Sequence, residues 1–178
     1  MNFNNYTIKA QEAIQKASEI AVGNQQQSIE TAHLLKGMLL VDENVVSHLL
    51  KKLNVNVKHV EEALDKQIDT FPKVSGSNIY LASPTNTALQ KAQSYLKEFK
   101  DEFVSIEHML LGILHAGDKT ATLLKDQGVT EKDLKKAIAD LRGNARVTDQ
   151  NAESTYNALN KYARNLNEDA ESGKLDPV

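Results

Sequence analysis

The stretch SIETAHLLKGMLL, Ser28–Leu40, has a counterpart further along the chain in FVSIEHMLLGILH, Phe103–His115. A shift of 75 positions aligns the two phrases without a gap. It places His33, Leu35, Gly37 and Leu39 on His108, Leu110, Gly112 and Leu114. After one deletion the match continues from Val55 and Val129 through Leu64 and Ile138. The chain therefore contains an internal duplication whose unit is long enough for several helices.

Apolar residues recur at spacings of three and four in each unit, which predicts amphipathic helices. In the first unit we expect four helices. The first runs from Thr7 to Gly23, the second follows Glu30 and Thr31, the third covers about 42–53, and the fourth covers about 56–71 and ends at Pro72. In the second unit the predicted N-caps are Ser83 (with Pro84 at the first helical position), Ser105, Asp118 and Thr130, the last with Asp133 in a capping box. Only residues 77–82 suggest an extended segment. The predicted fold class is all-α, with two pseudo-symmetric four-helix repeats forming one domain.

The pattern divides the chain into five parts. They are a first repeat (1–71), a connecting loop (72–82), a second repeat (83–142), a flexible linker (143–152) and a helical stretch (153–178). We expect the last part to lead towards a further domain. Two similar units can bury their apolar stripes against each other across a pseudo-two-fold axis, so the duplicated phrase should form the central helices. There Gly37 and Gly112 would permit close helix approach.

Composition narrows the function classes. The chain has 178 residues, a formal net charge of −3 and an isoelectric point near 6.0, so a phosphate-neutralising surface and nucleic-acid binding are not expected. It has no cysteine, which excludes disulfides and thiolate chemistry. Its apolar runs are too short for a signal peptide or a membrane span, and we expect no membrane partner and a cytoplasmic location.

No nucleophile, phosphate-loop or zinc motif occurs in the sequence. We expect His33 and His108 to bond backbone or a neighbouring helix, rather than to bind metal. Asp101, Glu102 and Glu107 precede or begin a helix, where acids complement the helix dipole. Three function classes remain open: a peptide- or protein-binding module, an oligomerisation scaffold, and a hydrolase without a recognised motif.

A binding module should leave apolar side chains partly exposed beside polar ones. The candidate binding residues are the apolar Phe3, Ile8, Leu81 and Val104 and the polar Thr7, Asp101 and Glu107.

The duplicated phrases ETAHLLKGMLL and SIEHMLLGILH resemble the Clp N-terminal repeat domain of the Hsp100 AAA+ chaperones. The resemblance covers the whole chain. Within that family, the bacterial disaggregases are the most similar branch, through FPKVSG (Phe71–Gly76), IYLASP (Ile79–Pro84) and RVTDQNAE (Arg146–Glu153). The alternative is an adaptor-docking domain of a ClpA/ClpC-type unfoldase.

The resemblance implies a noncatalytic domain that engages apolar segments of unfolded or aggregated stress-damaged proteins and passes them to the pore of a ring. ATP and magnesium, the coiled coil, cooperation with the DnaK/Hsp70 system and hexamer contacts would lie in other parts of such a protein. No cofactor or metal is implied for this chain, which should be monomeric by itself. The family's groove lies by the first helix and the start of the sixth. Its polar edge matches Thr7, Asp101 (or Glu102 beside it) and Glu107, and acidic edges would favour clients with basic residues beside apolar ones.

Overall fold

A computed structural model describes residues 2–42, 44–76, 78–143 and 145–154. Over these residues the chain forms eight helices and two short strands. The helices are α1 (Ile8–Gly23), α2 (Thr31–Val41), α3 (Val45–Lys52), α4 (Val57–Asp69), α5 (Ser83–Phe99), α6 (Ile106–Ile113), α7 (Lys119–Asp126) and α8 (Glu131–Arg142). The strands are β1 (Ser28–Ile29) and β2 (Tyr80–Leu81). The all-α prediction with four helices in each repeat is confirmed.

Most helices begin where side-chain caps predict. Thr7 accepts the Ala10 N–H on its hydroxyl at 3.1 Å, and Asp118 and Thr130 cap α7 and α8 in the same way. The start of α5 differs by one residue from the prediction. Ala82 is the N-cap and Ser83 is already helical, because Ala82 is the last residue with extended backbone angles.

Glycine allows α2 to approach α1, and α6 to approach α5, at backbone distance. A β-carbon added to Gly37 would lie 2.6 Å from the carbonyl oxygen of Ala13, and one added to Gly112 would lie 2.1 Å from that of Ala88. Real β-carbons essentially never come within 3.0 Å of another heavy atom. The predicted role of both glycines is confirmed, and the close partner is the first helix of the same repeat.

The two repeats exchange extended segments. β2, just before the second repeat, pairs in parallel with β1 of the first repeat, with Leu81 opposite Ile29. In return Tyr6, just before α1, forms a parallel bridge with Val104 in the second repeat. The 75-residue shift relates Tyr6 to Leu81 and Ile29 to Val104, so the exchange is reciprocal. The predicted extended segment at 77–82 therefore has a partner that the sequence did not indicate.

A single apolar core runs through both repeats and includes the fully buried Leu35, Met38, Leu89 and Leu110. Across the described part of the chain, no helix combines the length and apolarity needed to cross a membrane.

The segment predicted as a linker contacts the helical domain, and its flexibility stays a prediction. Residues 145–154 lie against the helices, with Val147 and Glu153 fully buried and Ala152 nearly so. Val147 and Ala152 pack into the core and Glu153 hydrogen-bonds to the domain, which composition alone did not reveal. The predicted helical stretch 153–178 falls outside the described residues from position 155 onwards.

Candidate functional site

A groove runs between the exposed face of α1 and the segment that contains β2. Its volume is about 670 Å³. The apolar residues that line it are Phe3, Ile14, Ile29, Ile79, Tyr80 and Leu81, and the polar ones are Gln11, Gln15, Ser18 and Asn86. None of these lining residues carries a charge. A second depression of about 440 Å³ continues past Ile79 towards Val22 and Val74.

The groove displays apolar side chains to solvent. Tyr80 is 56% exposed, and Ile79 is also exposed. They are held in place by backbone pairing, since Tyr80 and Ala82 donate their N–H groups to the first repeat at Gln27 and Ile29. Exposed apolar side chains on a fixed backbone, with uncharged hydrogen-bonding groups opposite, are suited to binding a polypeptide.

The structure separates the predicted binding residues into two groups. Phe3 and Leu81 are half-buried and line the groove. Ile8 is exposed at the start of α1 but is not among the lining residues. Thr7, Asp101, Val104 and Glu107 are buried.

The acidic residues predicted at the groove edge do not line this groove, and their role in binding stays a prediction. Thr7, Asp101 and Glu107 are turned inward because backbone N–H groups and an arginine satisfy them in the interior, as described below. Glu102, the alternative to Asp101, is exposed but does not line the groove either. Val104 is buried because it occupies the bridge with Tyr6.

The buried polar residues form one network around Arg142. The Arg142 guanidinium donates to Glu107 Oε2 and to Asp101 Oδ2, both at 2.9 Å. Asp101 also accepts the Val147 N–H at 3.0 Å. Burial raises the pKa of Asp101, but hydrogen bonds from His108 and Val147 and the Arg142 charge outweigh it, so the net pKa is lowered. This network ties α6, α8 and residue 147 together.

His108 completes the network. Its Nδ1 accepts the Ser105 N–H at 2.8 Å, so its Nε2 carries the hydrogen and donates to Asp101 at 2.7 Å. His33 repeats the arrangement, with Nδ1 accepting the Glu30 N–H and Nε2 facing Gln26 Oε1 at 2.6 Å. Both histidines bond a backbone N–H at the start of their helix, which agrees with the expectation that they bond backbone. No cluster of three potential metal ligands occurs among the residues that the structure describes.

Glu153 was missed by sequence reasoning, although it bonds the predicted residue Thr7. Its Oε2 accepts the Thr7 hydroxyl at 2.5 Å and the Ile106 N–H at 3.2 Å. Burial, with the Glu107 charge adding to it, raises the pKa of Glu153 to about 7.

Arg142 was also missed, but the duplication carried a signal for it. Arg142 and Asp101 stand where the first repeat has Ile68 and Gln26. In the first repeat Gln26 donates to the Ile68 carbonyl at 2.7 Å. A charged pair in one repeat that replaces a neutral pair in the other indicates two positions in contact.

Comparison with known proteins identifies the family. The model of the Clp repeat (R) N-terminal domain matches residues 5–127. The chain belongs to this Clp N-terminal domain family. It is 52% identical over 178 residues to the chaperone protein ClpB of Bacteroides thetaiotaomicron, and 47% identical to that of Porphyromonas gingivalis over the same length. Each match covers 100% of this chain and 21% of the relative, so the chain spans about a fifth of the length of these curated relatives.

Solved Clp N-terminal domains share the fold. The N-terminal domain of Hsp104 from Candida albicans superposes with a TM-score of 0.73 at 20% identity, covering 84% of this chain and 99% of that one. The ClpV N-domain from Vibrio cholerae superposes with a TM-score of 0.66 at 19% identity, covering 78% and 85%. A complex of a ClpV N-domain with a VipB peptide also matches, with a TM-score of 0.65 at 18% identity over 77% of this chain and 86% of that one.

Proposed function

We propose that this domain binds exposed apolar segments of unfolded or aggregated proteins, as the N-terminal domain of a ClpB-type disaggregase. The observation that supports the proposal is the uncharged groove beside α1, with Tyr80 and Ile79 held exposed on a paired backbone. Two relatives matched over the entire chain are named ClpB, which favours this function over adaptor docking on a ClpA/ClpC-type unfoldase. The ClpV N-domain in complex with a VipB peptide, which shares the fold, supports a peptide as ligand.

The groove sets the chemistry of the ligand. Its lining offers apolar contact and neutral hydrogen bonds, and the acids predicted at its edge are buried around Arg142. Client segments are therefore selected by apolar side chains, and charged residues beside them contribute little. A contact of this size gives affinities on the order of micromolar, which suits release to a downstream pore.

The remaining parts of the proposal concern the longer protein. ATP hydrolysis with magnesium, assembly into a hexameric ring, cooperation with the DnaK/Hsp70 system and a cytoplasmic location follow from the ClpB-type assignment. The role proposed for this domain is binding without catalysis.

An NMR titration with a permanently unfolded, apolar-rich polypeptide tests the proposal. Shifts should cluster at Tyr80, Ile79 and Phe3, and a well-folded control protein should produce none. Tyr80→Ser should weaken binding roughly tenfold, which corresponds to about 1.4 kcal/mol. The matched control is Leu40→Ser, because Leu40 is equally exposed at 56% but does not line the groove.

Three results would contradict the proposal. Equal loss of affinity in both variants would move the binding site away from the groove. Tight binding of one folded partner, with indifference to unfolded chains, would instead establish adaptor docking. Apolar peptides flanked by acidic or basic residues should bind equally, and a strong preference for either would refute the neutral groove.

A further inference from the structure

Residues 145–154, here called the strap, lie across the starts of helices from both repeats. The Glu102 N–H donates to the Val147 carbonyl, and the Ile8 N–H donates to the Gln150 carbonyl, both at 2.8 Å. Ile8 is the first residue of α1, and Glu102 lies shortly before α6. The strap thus occupies backbone donors near two helix starts, which would otherwise face solvent.

Glu153 fastens the end of the strap. A single carboxylate oxygen, Oε2, accepts from the Thr7 hydroxyl, the N-cap of α1, and from the N–H of Ile106, the first residue of α6. The side chain is fully buried, and its other oxygen, Oε1, has no hydrogen-bond partner within the described residues. An acidic group at two helix N-termini is favourable, but an ionised carboxylate with an unsatisfied oxygen in the interior is costly.

The strap also contacts the arm that carries one side of the groove. Gln150 donates from its side-chain amide to the Asn4 carbonyl at 3.3 Å. Phe3, one residue earlier, lines the groove and packs edge-on against Tyr6, with ring centroids 5.0 Å apart. The position of the Phe3 side chain therefore depends on a segment that the strap holds.

Charged groups surround Glu153 unevenly. Glu107 on α6 repels its negative form, and Asp42 after α2 is a further buried acid near Glu107. Arg142 on α8 binds Glu107 and Asp101, and Asp101 is also bonded by His108.

The pH dependence of docking follows from this environment. Burial and the Glu107 charge raise the pKa of Glu153 to about 7 in the docked strap, against an ordinary value of 4.5. Between about pH 4.5 and pH 7, Glu153 therefore keeps its proton in the docked strap and loses it in the released strap. Docking is at full strength below about pH 4.5 and weakens as the pH rises through about 7.

We propose that residues 145–154 are a releasable strap, fastened by Glu153 at the starts of α1 and α6, and that its release loosens the Phe3 side of the groove. The release of the strap is independent of the proposed function. The effect of that release on the groove rests on the proposed function, because this groove is where clients bind.

Amide hydrogen exchange followed by NMR tests the strap. The reporters are the N–H groups of Ile8 and Glu102, which donate to the strap, and the reference is Val60, bonded inside the first repeat. Dividing the measured exchange rate of each reporter by its intrinsic rate gives the equilibrium constant for opening. This constant should rise roughly 20- to 30-fold from pH 5.5 to pH 8. The reference should not change.

Substitutions of Glu153 separate the effect of its charge from the effect of its packing. Glu153→Gln keeps an oxygen for Thr7 and Ile106 and removes the titration, so its reporters should stay protected at both pH values. Glu153→Ala should lose reporter protection at both, and Asp149→Asn, at an exposed position in the same segment, should behave as the wild type. If Glu153→Ala fails to fold, the comparison of the wild type with Glu153→Gln tests the strap. Wild-type protection that does not change with pH, or a pH response that persists in Glu153→Gln, overturns the strap.

The link to the groove is tested by titrating the unfolded polypeptide into Glu153→Gln and Glu153→Ala at pH 6. Binding should be several-fold weaker in the alanine variant. Equal affinity overturns the link whatever the exchange result shows. Failure of the wild type itself to bind would count against the proposed function and would leave the exchange result on the strap standing.

Discussion

Replacing Gly112 by alanine should separate α6 from α5. The new β-carbon would lie 2.1 Å from the Ala88 carbonyl oxygen and 3.0 Å from the carbonyl carbon. The two helices must therefore move apart by about 1 Å, because the clash is with backbone that cannot change rotamer. Overpacking of this kind costs about 3 kcal/mol, and the better helix propensity of alanine returns about 1 kcal/mol. The expected net loss of stability is about 2 kcal/mol.

Urea denaturation followed by circular dichroism measures this loss, and a thermal melt should show a fall of roughly 4–8 °C. Gly37→Ala, with its closest contact at 2.6 Å, should lose less. The matched control is Gly23→Ala at the end of α1, where an added β-carbon meets nothing within 4 Å. That variant should be as stable as the wild type or slightly more stable. If Gly112→Ala were as stable as Gly23→Ala, the close approach of α5 and α6 would be wrong.

Arg142→Met should destabilise the domain by about 3–5 kcal/mol in urea denaturation, because two buried carboxylates lose the cation they share; a loss below about 1 kcal/mol would refute this. Leu110→Asp should abolish the dispersed NMR spectrum, since it puts a charge into a fully buried site, whereas Leu40→Asp at an exposed site should leave it intact. Burial, assisted by the Lys36 charge, lowers the pKa of His33 to about 4. The stability that this neutral ring contributes should be present above about pH 6.5 and lost as the pH falls through about 4, by up to about 3 kcal/mol, and His33→Gln should flatten the profile. An unchanged profile in that variant would contradict the assignment.

Helix positions were predictable because their signals are local. Thr7, Asp118 and Thr130 each cap a helix through an N–H three residues away, and such signals are legible in a single stretch of sequence. The glycine contacts were predictable for a related reason. A glycine at the same place in both repeats of an amphipathic helix indicates packing, since it is unfavourable there otherwise.

The site was less predictable because its partners are distant in sequence. Asp101 and Glu107 carry the helix-start pattern of exposed acids, but Arg142, 41 and 35 residues further on, draws both into the interior. Glu153 reaches Thr7 across 146 residues. The strands β1 and β2 have two residues each, which is too short for any alternation to be visible. Phe3 and Leu81 were predicted as binding residues from their apolar character; both line the groove, and their role in binding stays a prediction.

The reciprocal pairing of Tyr6 with Val104 and of Leu81 with Ile29 gives this single chain the geometry of a swapped dimer. A first repeat expressed alone would present β1 without a partner and an N-terminal arm without Val104. Two copies of the first repeat could pair with each other by the same exchange. The stability of that dimer would then depend on the protein concentration. Joining the repeats through one connecting segment replaces that bimolecular step by an intramolecular one. The domain thus keeps the interlocked architecture of an obligate dimer at any dilution, and neither half can be removed without exposing the edge that the other half covers.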